Sequence, residues 1–179
     1  MKKIKDRMVL GLIAGGAGVL LQTIFDEISV RVGISKRSYR TTAAGIWVSS
    51  RRQAEKWQGQ LFGFFMNSFL AMLGGISIVN IFSKSGRDHW LIKGLYFGMT
   101  FGAIINGLLS SLPMNKVKPK DANSNLSYLF TNALYGLAVG TIAAKLGDDS
   151  IYDAKPQNNY LKPTELTTEQ SNVHKLAAK

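Results

Sequence analysis

The chain of 179 residues contains no cysteine. That excludes disulfides, thiolate metal sites and cysteine nucleophiles, and leaves the redox compartment open. Histidine is nearly absent too, with two in the whole sequence, His89 and His174. Charge is missing in a patterned way. None of the 22 Lys/Arg or 11 Asp/Glu falls within residues 8–25, 59–82, 94–115 or 126–144. A helix rises about 1.5 Å per residue, so runs of 18, 24, 22 and 19 residues can each cross a hydrocarbon layer of roughly 30 Å. They do not alternate as barrel strands would, so each backbone must satisfy itself within its own segment. The expected fold is all-α: an integral membrane four-helix bundle made of two antiparallel hairpins, spanning 1–145, with a polar and disordered tail at 146–179.

Net charge is +11. No basic and aromatic pattern of a nucleic-acid module accompanies it, so nucleic acid is not an expected partner. The positive residues flank the apolar runs, where anionic lipid headgroups are the natural counterpart. A partner protein or self-association remains open. The long first connection, 26–58, carries Arg31, Lys36, Arg37, Arg40, Arg51, Arg52 and Lys56 as candidate headgroup contacts. Within it, 41–57 reads either as a short interfacial helix with Trp47 and Trp57 at headgroup depth, or as a solvated basic loop. Residue Pro113 is expected to end the third run, because the residue before proline avoids helical geometry.

MKKIKDR followed by MVLGLIAGGAGVLLQTIF looks like a signal peptide. The apolar core is long and no small-x-small site comes after it, so it reads as a retained span. A multi-pass protein of the cell membrane results. Lys/Arg counts on the two sides nearly cancel, twelve against ten, so they do not decide orientation. The positive N-terminal flank, with Asp26-Glu27 after the span, favours a cytoplasmic N-terminus.

Small residues recur at i, i+4 in every run. The third has Gly94, Gly98 and Gly102 and ends the row on Asn106; the fourth has Asn132, Gly136, Gly140 and Ala144. The second has Gly59, Gly63, Asn67, Ala71 and Gly75, and the first has Ala14, Gly18, Gln22 and Asp26. Between helices in lipid, close backbone approach replaces the hydrophobic drive, and small residues permit it. Gly18, Gly63, Gly94, Gly98, Gly102, Gly136 and Gly140 are the expected packing positions. Counted from the correct helix ends, Gln22, Asn67, Asn106 and Asn132 lie at about 6 to 12 Å from one face. They are expected to point inward as a polar layer. The layer reads either as interhelical glue or as the lining of a polar cavity with Asp26 and Glu27 at its mouth.

Chemistry is sparse. GLIAGGAG (11–18) lacks the strand and the Lys-Ser/Thr of a phosphate loop. His89 and Asp88 are adjacent and so do not face each other on a helix. No metal spacing, no nucleophile–base pair and no cofactor motif appears, so no enzyme is expected. The glycine-rich first span with its acidic end (GLIAGGAGVLLQTIFDE), the long first connection, GQLFGFF and GLLSSLP together resemble small four-helix bacterial inner-membrane proteins of the YqhR and YagU kind. That resemblance covers residues 8–145 and implies a bacterial cytoplasmic membrane.

Overall fold

The structure is a computed structural model that describes residues 3–118 and 121–152. Among the described residues the regular secondary structure is all helical, apart from an isolated bridge between Ile4 and Gly147. Four helices are long and apolar enough to cross a membrane: α1 Arg7–Arg31, α4 Trp57–Ser85, α5 Trp90–Ser111 and α6 Ala122–Leu146. Two short ones, α2 Tyr39–Ala44 and α3 Arg51–Glu55, lie in the first connection.

Local chemistry sets the helix ends. Asp6 caps α1 by accepting from the Val9 N–H at 2.8 Å, and Asp121 caps α6 through the Ser124 N–H at 3.0 Å. Ser38 and Ser50 cap α2 and α3. Helix α5 stops at Ser111 rather than at 115, because Leu112 turns extended ahead of Pro113. Helix α4 runs to Gly86, whose φ of 75° reverses the chain. Lys93 then reaches back and donates to the Ser85 and Gly86 carbonyls at 2.9 Å each, satisfying the helix C-terminus.

Helix α6 packs along both α1 and α5, and α1 packs along α4, whereas α4 and α5 scarcely meet. Small residues line these seams. A Cβ on Gly98 would strike the Asn132 carbonyl and Gly136, and one on Gly136 would strike Gly94 and Gly98. Gly102 lies against the Asn132 side chain, and Gly140 approaches Gly94. The α1–α4 seam joins Gly11 and Gly15 to Ala71, Gly75 and Ile76. Gly18 instead receives Tyr135 and Val139 of α6. Gly63 faces no long helix: its neighbour is the Arg40 backbone of α2.

The first connection departs from both readings of 41–57. It folds as two helices rather than one, and the first goes inside. Tyr39, Thr41, Thr42, Ala43 and Ala44 are all buried, with α2 seated on α4. Trp47 and Trp57 stay exposed, at 66% and 70%.

At the N-terminal end, the Ile4 N–H donates to the Leu146 carbonyl and the Asp148 N–H to the Ile4 carbonyl, both at 2.9 Å. Tyr152 is fully buried and its hydroxyl donates to the Ala143 carbonyl. The Arg87 guanidinium lies 5.3 Å from the Tyr152 ring centre and pairs with Asp149. The first residues of the expected disordered tail are therefore packed. An aromatic and an ion pair anchor 146–152, a local signal masked by the polarity of the residues beyond Tyr152. The remainder, 153–179, lies outside the described residues.

Candidate functional site

Three of the four carboxamides meet. Asn67 Nδ2 of α4 donates to Gln22 Oε1 of α1 at 3.3 Å. Gln22 Nε2 donates to Asn132 Oδ1 of α6 at 3.0 Å. Asn132 Nδ2 then donates to Tyr39 Oη of α2 at 3.0 Å and to the Tyr128 carbonyl at 2.7 Å. Tyr39 Oη in turn donates to the Gly102 carbonyl of α5 at 3.3 Å. One polarised relay thus joins α4, α1, α6, α2 and α5. All four of its side chains are more than nine-tenths buried. In α1, α4 and α6 the i, i+4 row places its amide on the same stripe as the small residues, so close seams and hydrogen bonds coincide.

The fourth expected member is displaced. Asn106 is only half-buried and donates to Asn125 Oδ1 at 2.9 Å, outside the relay. A row at i, i+4 rotates about 40° per step. Gly94, Gly98 and Gly102 still face α6, but by Asn106 the row has turned toward the outer side of the seam. Tyr39 takes the place left for a fourth amide. Sequence periodicity could not find Tyr39, because it enters from a connection. Ser38, a helix cap three residues ahead of the small residues TTAA at 41–44, is the one local signal of a short buried helix.

Tyr39 is held from several sides. Its ring packs on Tyr128, centre to centre 4.5 Å, and its backbone N–H donates to Asp26 Oδ2 at 2.7 Å. Asp26 is 1% exposed. It holds the first residue of α2, and it is not among the residues that line the small cavity at the amides, where the sequence placed it at a mouth. Glu27 does not line that cavity either; it accepts from Arg31 Nε at 2.9 Å and pairs with Arg40. Further links support the same region. Ser29 and Ser127 share a hydrogen bond at 2.5 Å, and Tyr128 Oη donates to the Arg37 carbonyl at 2.7 Å.

The space beside the relay is small. A cavity of about 20 Å³ is lined by Gln22, Tyr39, Asn67 and Asn132 together with Phe101 and Tyr135. That is room for about one water molecule. The arrangement can fix five segments in register.

The seven basic residues of the first connection divide. Arg37 turns inward and donates to the Lys118 carbonyl, and Arg40 is held by Glu27. Arg51 pairs with Glu55 at 2.7 Å, and Arg31 with Glu27, both on exposed surface. Lys36, Arg52 and Lys56 are exposed. At the α6 start, the Ser124 hydroxyl and N–H hold the Asp121 carboxyl below the usual carboxylate range. At the opposite end, burial pushes the Tyr152 phenol up to about 12 despite the nearby Arg87 guanidinium. Asp88 is buried and His89, with a left-handed φ of 53°, is exposed.

Comparison with protein-family models, with curated proteins and with solved structures gives no match to this chain.

Proposed function

We propose that this chain is a multi-pass membrane protein without enzymatic activity. In this reading its four long helices form a bundle that serves as a structural or interaction component, and its basic first connection, from Arg31 to Lys56, meets anionic headgroups. The observation that carries the reading is the inversion of polarity across the helices. Leu20, Phe65, Phe69, Ile92, Ile104, Leu108 and Phe130 are each 55% to 61% exposed, while Gln22, Asn67 and Asn132 are buried against one another. In water that exterior would be a large apolar patch. In lipid it needs no cover, and the inward amides avoid the several kcal/mol, roughly, of an unpaired polar group.

The closed relay favours glue over conduit. A conduit would require Gln22, Asn67 and Asn132 to separate around water, and the adjoining cavity holds about one molecule. Membrane extraction and reconstitution test both halves of the proposal. The full chain should stay in vesicles through an alkaline carbonate wash, and Asn67→Leu should lower its thermal midpoint. Release by carbonate would refute the membrane reading. Solute flux through reconstituted vesicles, lost in Asn67→Leu at unchanged stability, would refute the packing role in favour of transport.

A further inference from the structure

The displacement of Asn106 leaves a feature that the relay does not use. A groove of about 580 Å³ opens between α5 and α6 at their far ends. Ala103, Gly107, Leu126 and Leu129 give it apolar walls, and Asn106, Asn125 and Ser110 add polar groups. From Gly102 to Ser110 it runs along α5 for about 12 Å, ending one residue before the helix does. Its volume lies within the usual range for a small-molecule site of about 300–1,000 Å³. A Cβ on Gly107 would meet nothing within 4 Å, so the groove is open space and not a packed seam.

Two further observations indicate what would fill it. Asn106 Oδ1 and Ser110 Oγ are enclosed yet have no hydrogen-bond partner among the described residues, and of the two only Ser110 can donate to a ligand oxygen. Such atoms are costly to leave unmatched where water is scarce. The connection at that end of the two helices is also positive. Lys116, which is exposed, and Lys118 lie on the connection that joins the two groove walls. Lys36 is fixed over the first turn of α6 by its backbone N–H, which donates to Ser124 Oγ at 3.0 Å, and Arg37 donates to the Lys118 carbonyl. Against these four cations stands the single carboxylate of Asp121, whose Oδ2 accepts from the Ser124 N–H and hydroxyl while its Oδ1 has no hydrogen-bond partner among the described residues.

We infer that the α5–α6 groove binds an anionic glycerophospholipid, with an acyl chain between Gly107 and Leu126, an ester oxygen accepting from Ser110, and the phosphate at Lys116 and Lys118. The inference rests on the membrane reading above and deepens it by naming the lipid class and its seat. It uses few of the residues expected to touch headgroups from sequence. Lys36 and Arg37 are among them, and the lysines of the second connection carry the larger part.

Native mass spectrometry of the full chain, released from neutral detergent containing equal phosphatidylglycerol and phosphatidylcholine, tests it. The wild type should retain one phosphatidylglycerol in preference to phosphatidylcholine by about tenfold, equivalent to about 1.4 kcal/mol. Gly107→Leu fills open space, so it should keep the thermal midpoint and lose that retention. Lys116→Gln with Lys118→Gln should retain lipid but lose the preference. Equal retention by wild type and Gly107→Leu, or no retention by the wild type, would overturn the inference while carbonate resistance still upheld membrane insertion. Loss of carbonate resistance would remove both. A wild-type dimer that becomes monomeric in Gly107→Leu, with no lipid bound to either, would assign the groove to a second copy and also overturn it.

Discussion

Gln22 and Asn132 stand 110 positions apart and share a hydrogen bond of 3.0 Å between their carboxamides. Neither is satisfied by this bond alone. Gln22 also accepts from Asn67, and Asn132 also donates to Tyr39 and to the Tyr128 carbonyl. The pair is therefore the middle of a relay, and its worth depends on both neighbours.

Replacing either amide by leucine should destabilise the protein by about 1–3 kcal/mol, with Asn132→Leu the worse of the two because it strands more partners. A double-mutant cycle should give a coupling of about 0.6–2 kcal/mol. The thermal or denaturant midpoint in detergent provides the measurement. Strict additivity would mean that the bond is not formed. Gly98→Leu should exceed both single changes, at more than about 3 kcal/mol, because its Cβ would meet the Asn132 carbonyl, which cannot move as a side chain can.

Asp26 gives a second prediction. Its Oδ2 holds the Tyr39 N–H at 2.7 Å and so fixes α2 among the long helices. Asp26→Ala leaves that N–H without its acceptor, at a cost of about 1–3 kcal/mol. Trypsin should then cut faster after Arg37 and Arg40, and amide exchange across 39–44 should rise. Asp26→Asn keeps an acceptor oxygen and should protect the segment more than alanine does. Equal proteolysis of all three chains would show that α2 does not depend on this bond.

The contrast between these two sites shows what periodicity could and could not reveal. The long helices were legible from charge-free runs, because that property belongs to each segment alone. The rows containing Gln22, Asn67 and Asn132 were legible for the same reason: side-chain size and spacing fix a stripe before any partner is known. Asn106 obeys the same spacing and still leaves the layer, because which part of a drifting row faces inward depends on where the neighbour crosses it. Tyr39 was not legible from periodicity. Its segment is too short for a period, and its burial is decided by Gly63, Asp26 and Tyr128, which are far away in sequence. The same holds for Tyr152, one aromatic in a polar stretch, buried by the Ala143 carbonyl and Arg87.

Tyr152 supplies a pH prediction. Its phenol is raised from 10.0 to about 12, chiefly by burial. A group that holds its proton more tightly when folded adds stability below its unfolded value and loses it as pH rises through the folded one. The docking of 146–152 should therefore be intact at neutral pH and loosen between about pH 10 and 12. Amide exchange at Ile4 and Asp148 should accelerate across that window. Tyr152→Phe should show weaker docking at neutral pH, since it lacks the bond to the Ala143 carbonyl, and no added loosening in the window. Unchanged pH dependence in Tyr152→Phe would assign the transition to another group.

The absence of cysteine makes the most direct test of the central claim practicable. Nitroxide labels placed singly at Leu20→Cys, Phe69→Cys, Ile104→Cys and Phe130→Cys report what surrounds the outward faces of the four long helices in reconstituted bilayers. Collision with dissolved oxygen should be frequent, and collision with a water-soluble nickel chelate rare, at all four positions. Frequent nickel collisions at these positions would place the apolar faces in water and contradict the account.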